Sequence, residues 1–429
     1  MKILWLCNIM LPAYAKAHDL PFSVREGWLT GCLERIKNSD GLASEDALEL
    51  AIAFPGEGDI ASSKEVIDGI TYYGFTEDLA HPENYDGIVE NRFHQILDDF
   101  KPDVVHIFGT EFPHSLAMLR AFGNPAKALL GIQGICGVIA KEYMADIPEE
   151  VQNTVTFRDR IKNDSLIQQQ EKYRARAEHE KEAIRLTGNI TGRTRFDKEE
   201  TAKINPEARY FHLNETMRPG FYGVTRDEAQ VEDHSIFLSQ GDYPLKGFHF
   251  MLQAMPEILE KYPDAHLYVA GNNIIGKGQS KYPYFMRASA YGKYIRSLIR
   301  RQRLKKNVTM LGMLSEEDMR DRLLKSSVFV CASVVENSPN SLGEAMLLGT
   351  PVVAARVGGI PSMLDDGRDG ILFEKADPSS LAKGILQIWD EPVISGLYGE
   401  NARNHALLTH DPDSNYKRLI EIYREINEA

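Results

Sequence analysis

Cysteine is scarce in this sequence: Cys7, Cys32, Cys136 and Cys331 are four among 429 residues, and they form neither a CxxC pair nor a dense framework. That spacing excludes a disulfide-stapled module and points to free thiols in a reducing cytosol. Long hydrophobic runs are also lacking. No stretch approaches the roughly 20 apolar residues of a membrane span. The apolar start of the chain breaks at Asn8 and is too short for a secretion signal. A soluble or at most peripheral cytoplasmic protein is expected. There is no P-loop, no Ser-His-Asp order and no complete GxGxxG followed by an acidic residue about 20 positions on, which removes a nicotinamide dehydrogenase. The histidines show no i, i+4 pairing with Glu, and the acidic pairs at 365–366 and 411–413 sit in turn-like contexts, so no metal and no cofactor is expected. Positive charge is in deficit, 49 basic against 62 acidic residues for a net −13. This disfavours nucleic acid as a partner of the whole surface.

The composition, 43% hydrophobic and 26% charged, is that of a globular protein, and the length suits two or three domains. Short apolar runs at 3–9, 48–54, 103–108, 128–132 and 190–194 read as buried strands, with helical patterns at 91–100, 115–122 and 171–186. The second half repeats the theme at 235–239, 266–270, 308–311, 328–332, 351–355 and 370–373. Such alternation predicts an α/β chain with parallel sheets covered on both faces. Eleven strands exceed one comfortable sheet. Two doubly wound, Rossmann-like domains are expected, 1–223 and 224–408, facing each other across a cleft. The division is placed in 218–233, where Pro219-Gly220 and Gly223 precede an acidic, helix-poor stretch. A final helix within 409–429, apolar at Tyr416, Leu419, Ile420, Ile422, Tyr423 and Ile426, is expected to pack back on the first domain.

Charge is unevenly spread. Segment 272–307 holds ten Lys or Arg and no Asp or Glu, so the remainder carries −13 − 10 = −23. It reads either as a solvated helix and loop or as an electropositive wall facing a nucleotide phosphate or an anionic membrane.

The most informative stretch is Glu336-Asn337-Ser338-Pro339-Asn340-Ser341-Leu342-Gly343-Glu344. It follows a strand and opens a helix, for which Asn337, Ser338 and Asn340 are good caps and Pro339 suits the first turn. Free amides at such a helix start favour an anion. Glu336 and Glu344 flank that start and would repel phosphate, so they suit hydroxyls instead. The structural alternative is a helix-dipole carboxylate and a loop carboxylate.

Glu336 and Glu344 match the E-x7-E pattern of retaining glycosyltransferases, and the stretch resembles glycosyltransferase family 4. The context continues in the family's order through Gly349-Thr350-Pro351, Val357-Gly358-Gly359-Ile360-Pro361 and Asp366-Gly367-Arg368-Asp369-Gly370. The clear match covers about 235–373. The resemblance implies a GT-B architecture in which the second domain binds a nucleotide-diphosphate sugar and the first binds the acceptor. It implies that Glu344 holds the ribose, and that Glu336, Asn337 and the backbone of Asn340, Ser341 and Leu342 hold sugar hydroxyls and phosphates. Lys246, in Pro244-Leu245-Lys246-Gly247, matches the lysine that neutralises the donor diphosphate, a sensible role for a fixed cation beside a leaving oxygen. Gly27 matches a reduced glycine-rich loop, Arg25-Glu26-Gly27-Trp28, that lets backbone approach the phosphates.

There are departures. No arginine precedes Lys246 in Ser239-Gln240-Gly241-Asp242-Tyr243, and Gln133 stands where many members have histidine. Two further residues lie at strand ends in the first half. His106 suits a structural hydrogen bond or an acceptor contact. Arg193 either contacts an acceptor or phosphate, or pairs with Asp197. The expected function is a retaining, metal-independent glycosyltransferase acting on a glycan, lipid-linked or small-molecule acceptor, with peripheral contact at the inner face of a membrane in the lipid-linked case. The alternatives are a catalytically impaired nucleotide-sugar-binding protein and another two-domain nucleotide-sugar enzyme, an epimerase or phosphorylase.

Overall fold

A computed structural model describes residues 1–21, 27–37, 48–276 and 283–429. They fall into two compact units: Met1–Gly137 with Lys172–Arg218 and His410–Ala429, and Val138–Glu171 with Pro219–Thr409. No helix among the described residues is long and apolar enough to cross a membrane. The four cysteines are free thiols.

The first unit is built on eight strands: β1 (Lys2–Leu6), β2 (Glu49–Pro55), β3 (Lys64–Ile67), β4 (Ile70–Phe75), β5 (Val104–Phe108), β6 (Ala128–Gly131), β7 (Asn189–Gly192) and β8 (Arg209–His212). Their order is β3-β4-β2-β1-β5-β6-β7-β8, parallel throughout except for the β3–β4 pair. Continuous apolar runs make this possible: every residue of β5, and Ile3 to Leu6 of β1, is buried, as a sheet covered on both faces requires. The order reverses at β1, which has β2 on one side and β5 on the other.

The helix Pro412–Glu428 closes this unit. Asp411 caps it by accepting from the Ser414 amide at 2.8 Å, and Pro412 occupies the first turn, where a missing N–H costs nothing. Leu419, Ile422, Tyr423 and Ile426 bury one stripe at i, i+3, i+4 and i+7 among Trp5, Leu33 and Phe54 of the core.

The second unit carries six strands, β9 (Glu232–Leu238), β10 (His266–Ala270), β11 (Val308–Gly312), β12 (Ser326–Cys331), β13 (Val352–Ala355) and β14 (Ile371–Phe373). Their order is β11-β10-β9-β12-β13-β14, all parallel. The winding reverses between β9 and β12. In an open parallel sheet, ligands bind outside the carboxyl ends of the strands at such a reversal.

All eleven expected strands are present, together with three more, β3, β4 and β8. β3 and β4 form a hairpin turned at Asp68-Gly69, a hairpin signal that the exposed, polar Lys64–Ile67 obscured. β8 is a short, half-exposed edge strand. The domain division also needs one correction. Val138–Glu171, placed by sequence in the first domain, belongs to the second unit. There Ala145 O accepts from His249 Nε2 at 2.8 Å and Glu142 pairs with Lys375.

Candidate active site

Two loops meet at the reversal point of the second sheet. The first leaves β9 and makes a tight turn, Pro244–Lys246, into the helix Phe248–Lys261. The second leaves β12 and enters the helix Asn340–Leu347. Val334 N donates to Leu245 O at 2.9 Å, which stitches the loops together. Two glycines permit still closer approach. Gly247 (φ +69°) lies so near Ala332 that a Cβ there would stand 1.8 Å from its carbonyl oxygen, and a Cβ on Gly358 (φ +50°) would stand 1.9 Å from Glu336 O. Glu336 O also accepts from Gly359 N at 3.0 Å. The Gly358-Gly359 loop thus fixes the backbone of Glu336.

This scaffold brings Lys246 and Glu336 together. Lys246 Nζ lies 2.5 Å from Glu336 Oε1, which also accepts from Ser333 Oγ at 2.7 Å. The side chains keep 22% and 12% of their exposure. Burial works against the Lys246 charge, but the Glu336 carboxylate and the Tyr243 ring beside it outweigh burial and hold its pKa above the ordinary value. Lys246 is therefore a fixed cation at neutral pH. Its ammonium lies 5.8 Å from the Tyr243 ring centroid. Across the reversal, Ser239 Oγ donates to Ser341 Oγ at 3.1 Å.

The helix start differs from the expected cap. Pro339 occupies the N-cap and no side chain caps the helix. The Leu342 and Gly343 amides turn back to Pro339 O. The Asn340 and Ser341 amides are those a helix leaves without an internal partner. Asn340 Oδ1 is buried with no hydrogen-bond partner among the described residues. Asn337 is buried beside the loop, and Glu344, on the second turn, is 3% exposed. Where the family carries arginine, Asp242 accepts from Asn272 Nδ2 at 2.7 Å. Of the basic segment, Lys277 and Lys281 lie outside the described residues, and Arg296 stacks on Tyr284 rather than reaching this loop.

The other expected residues belong to the first unit. Gly27 begins the helix Gly27–Lys37, while Arg25 and Glu26 lie outside the described residues. Arg193 pairs with Glu215, a residue in no recognisable motif, and donates to Gln133 Oε1 and Ile132 O at 3.0 Å each. Its expected partner Asp197 is used otherwise: it accepts from the Arg193 and Thr194 amides in a capping box and from Tyr210.

His106 lies within β5 and is fully buried. Trp5 Nε1 can only donate, and it does so to Tyr423 Oη at 2.8 Å; Tyr423 Oη also hydrogen-bonds His106 Nδ1 at 2.7 Å. His106 also lines a cavity of about 50 Å³ together with Gln133, Thr191, Arg193, Glu215 and Tyr416.

Burial pulls the His106 pKa down to about 3, and that of His249 down to about 4 against its hydrogen bond to Ala145. Both stay neutral in the fold while the unfolded chain takes up protons below about 6.5. Their stabilising effect is complete above 6.5 and is lost as pH falls towards 4 and 3. Denaturant unfolding should show stability declining over that window, with a shallower decline in His106→Gln.

Three metal-capable side chains, Asp365, Asp369 and His405, come within 4.8 Å of one another. Their geometry is that of a hydrogen-bonded turn: His405 Nδ1 lies 2.6 Å from Asp369 Oδ2, which also accepts from the Asp365 amide at 3.3 Å.

Residues 233–391 match the family model described as glycosyl transferases group 1. A putative glycosyltransferase of Bacillus subtilis, YtcC, is 27% identical over 206 residues, 47% of this chain and 48% of that protein. The chain thus matches about half the length of its curated relatives. Among solved structures, sucrose-phosphate synthase from Thermosynechococcus elongatus superposes with a TM-score of 0.69 at 15% identity, covering 99% of both chains. HepE of Anabaena, solved with UDP and glucose, gives 0.65 at 16%, covering 99% of this chain and 100% of that one. The segment that matches this family model contains Lys246, Glu336 and Glu344 and lies within a chain of GT-B fold.

Proposed function

We propose that this chain is a retaining glycosyltransferase that moves a hexosyl or related group from a nucleotide-diphosphate sugar to a glycan, lipid-linked or small-molecule acceptor. The observation that carries the reading is the Lys246–Glu336 pair at the sheet reversal, inside the family-matched segment. An ammonium has three donors. One is held by Glu336, leaving others for diphosphate oxygens, and the Asn340 and Ser341 amides face the same anion. Glu336 and Asn337 take sugar hydroxyls, and Glu344 takes the ribose. In transfer, the bond from the anomeric carbon to the phosphate oxygen breaks and the acceptor oxygen bonds to that carbon on the same face. The acceptor proton passes to the departing phosphate. Retention is carried over from the E-x7-E resemblance. Lys246 stabilises the charge that grows on the leaving oxygen, and no metal is needed for that step.

By the family resemblance Gln133 and Gly27 serve the donor, and Arg193 serves an acceptor or a phosphate. The chain works in the cytoplasm, at the inner face of a membrane where the acceptor is lipid-linked. A solved neighbour holding UDP and glucose makes uridine diphosphate sugars the first donors to try.

Thermal unfolding with UDP, UDP-glucose and other nucleoside-diphosphate sugars tests the donor site. A ligand at a hundred times its Kd adds about 2.7 kcal/mol, or about 5–10 °C for a unit of this size. A matching donor should raise the melting temperature by that much in the native chain and by far less in Lys246→Ala. A flat response to every nucleotide sugar rejects the donor site.

A further inference from the structure

Two short helices of the second unit, Phe157–Lys162 and Tyr284–Arg287, pack on each other with the rings of Phe157 and Phe285 6.4 Å apart. Neither ring is covered: Phe157 is 51% exposed and Phe285 61%, and Ile161, one turn beyond Phe157, is 66% exposed. Three large apolar side chains grouped at the surface mark an interaction site rather than ordinary scatter.

The same surface continues into cations. The helix Ala290–Arg301 buries Tyr291, Tyr294, Ile295 and Leu298. Its opposite face presents Lys293, Arg296 and Arg300 at i, i+3 and i+7, all exposed. Arg301, Arg303, Lys305 and Lys306 follow, also exposed. Among the described residues, none of these seven cations takes part in an ion pair. The apolar and cationic parts are joined: the Arg296 guanidinium lies 4.4 Å from the centre of the Tyr284 ring, next in the chain to Phe285. Exposed Glu149 and Glu150, on a short helix packed against the basic one, offset part of the charge without neutralising it.

We propose that this face docks on an anionic lipid bilayer, with Phe157, Ile161 and Phe285 entering the interface and Lys293, Arg296 and Arg300 facing the headgroups. Phenyl and aliphatic side chains beside Lys and Arg are the composition of an interfacial anchor. Each added cation strengthens attraction to an anionic leaflet. Charge also argues against a second copy as the occupant, because two chains of net −13 repel. The proposal deepens the reading of a lipid-linked acceptor but is tested apart from it, since vesicle binding needs neither donor nor acceptor.

The test is co-sedimentation of the full chain with phosphatidylcholine vesicles and with one-to-one phosphatidylcholine–phosphatidylglycerol vesicles, at low and high salt. Binding should require the anionic lipid and weaken with salt. Lys293→Glu/Arg296→Glu/Arg300→Glu should bind about a hundredfold more weakly. Phe157→Ser/Phe285→Ser should lose at least about tenfold while keeping the salt dependence. Circular dichroism and donor turnover verify that each variant is folded. Indifference to anionic lipid overturns the proposal, as does wild-type binding by both variants. So does a dimer in light scattering that either variant converts to monomer, which would assign the face to a second copy.

Discussion

Lys246→Ala is expected to lower sugar transfer by about a thousandfold, the upper range for removing one fixed donor from a developing oxyanion. The expectation rests on position. Lys246 ends a tight turn at the sheet reversal, Glu336 (itself held by Ser333) pairs with it on one side, and its charge persists across the physiological range. The same change also costs stability. Among the described residues Glu336 would keep only Ser333 as a side-chain partner, at 12% exposure, and breaking a buried pair costs about 3–5 kcal/mol. The residual exposure of both side chains puts this case at the low end.

The double variant Lys246→Ala/Glu336→Gln separates the two effects. A neutral amide in place of the stranded carboxylate should restore most of the denaturant midpoint, while transfer stays at the level of the single variant. Initial rates and denaturation curves on the four proteins of the cycle measure both. Turnover within a few-fold of wild type in Lys246→Ala, with the fold intact, would remove Lys246 from the site.

Gly247→Ala is expected to be among the most destabilising single changes in the second unit. A left-handed residue with a Cβ costs about 1–2 kcal/mol before any contact is counted. Here the added carbon would also stand 1.8 Å from Ala332 O and 2.6 Å from its carbonyl carbon. Both are backbone atoms at the end of β12, so no rotamer change relieves the clash. The loop carrying Lys246 must then lift away from the strand that leads to Ser333 and Glu336. A loss of at least about 4 kcal/mol belongs to this class, with a melting temperature lower by roughly 10 °C or more. Transfer should fall with it, because the 2.5 Å pair cannot survive separation of the loops. Gly367→Ala provides the control. Gly367 is also left-handed (φ +73°), but nothing lies within 4 Å of its added Cβ, so only the small conformational cost applies. Equal losses in the two variants would show that Ala332 is not the obstacle.

Much of this architecture is written locally. Eleven strands were legible because a strand buried on both faces is a short continuous apolar run, and β1, β5, β9 and β12 are such runs. The terminal helix was legible from its 3.6-residue stripe. Lys64–Ile67 was not, because an exposed edge strand has no apolar face to read. The allegiance of Val138–Glu171 was hidden as well: amphipathic short helices say that they pack, not against which sheet.

Within the site the division is sharper. The sequence alone, through its motif and its likeness to a family, determined the second parallel sheet, the loop-to-helix stretch at 336–344, and Lys246 as a candidate cation. Only the tertiary structure decided that Lys246 pairs with Glu336 across 90 residues, that Ser239 meets Ser341, that Arg193 takes Glu215 instead of Asp197, and that buried His106 hydrogen-bonds Tyr423. The physical reason is range. Periodicity and capping act over one or two turns and leave a mark on neighbouring residues. A charge pair between two loops depends on strand order, here β9 beside β12, and that order arises from crossovers that no local pattern records.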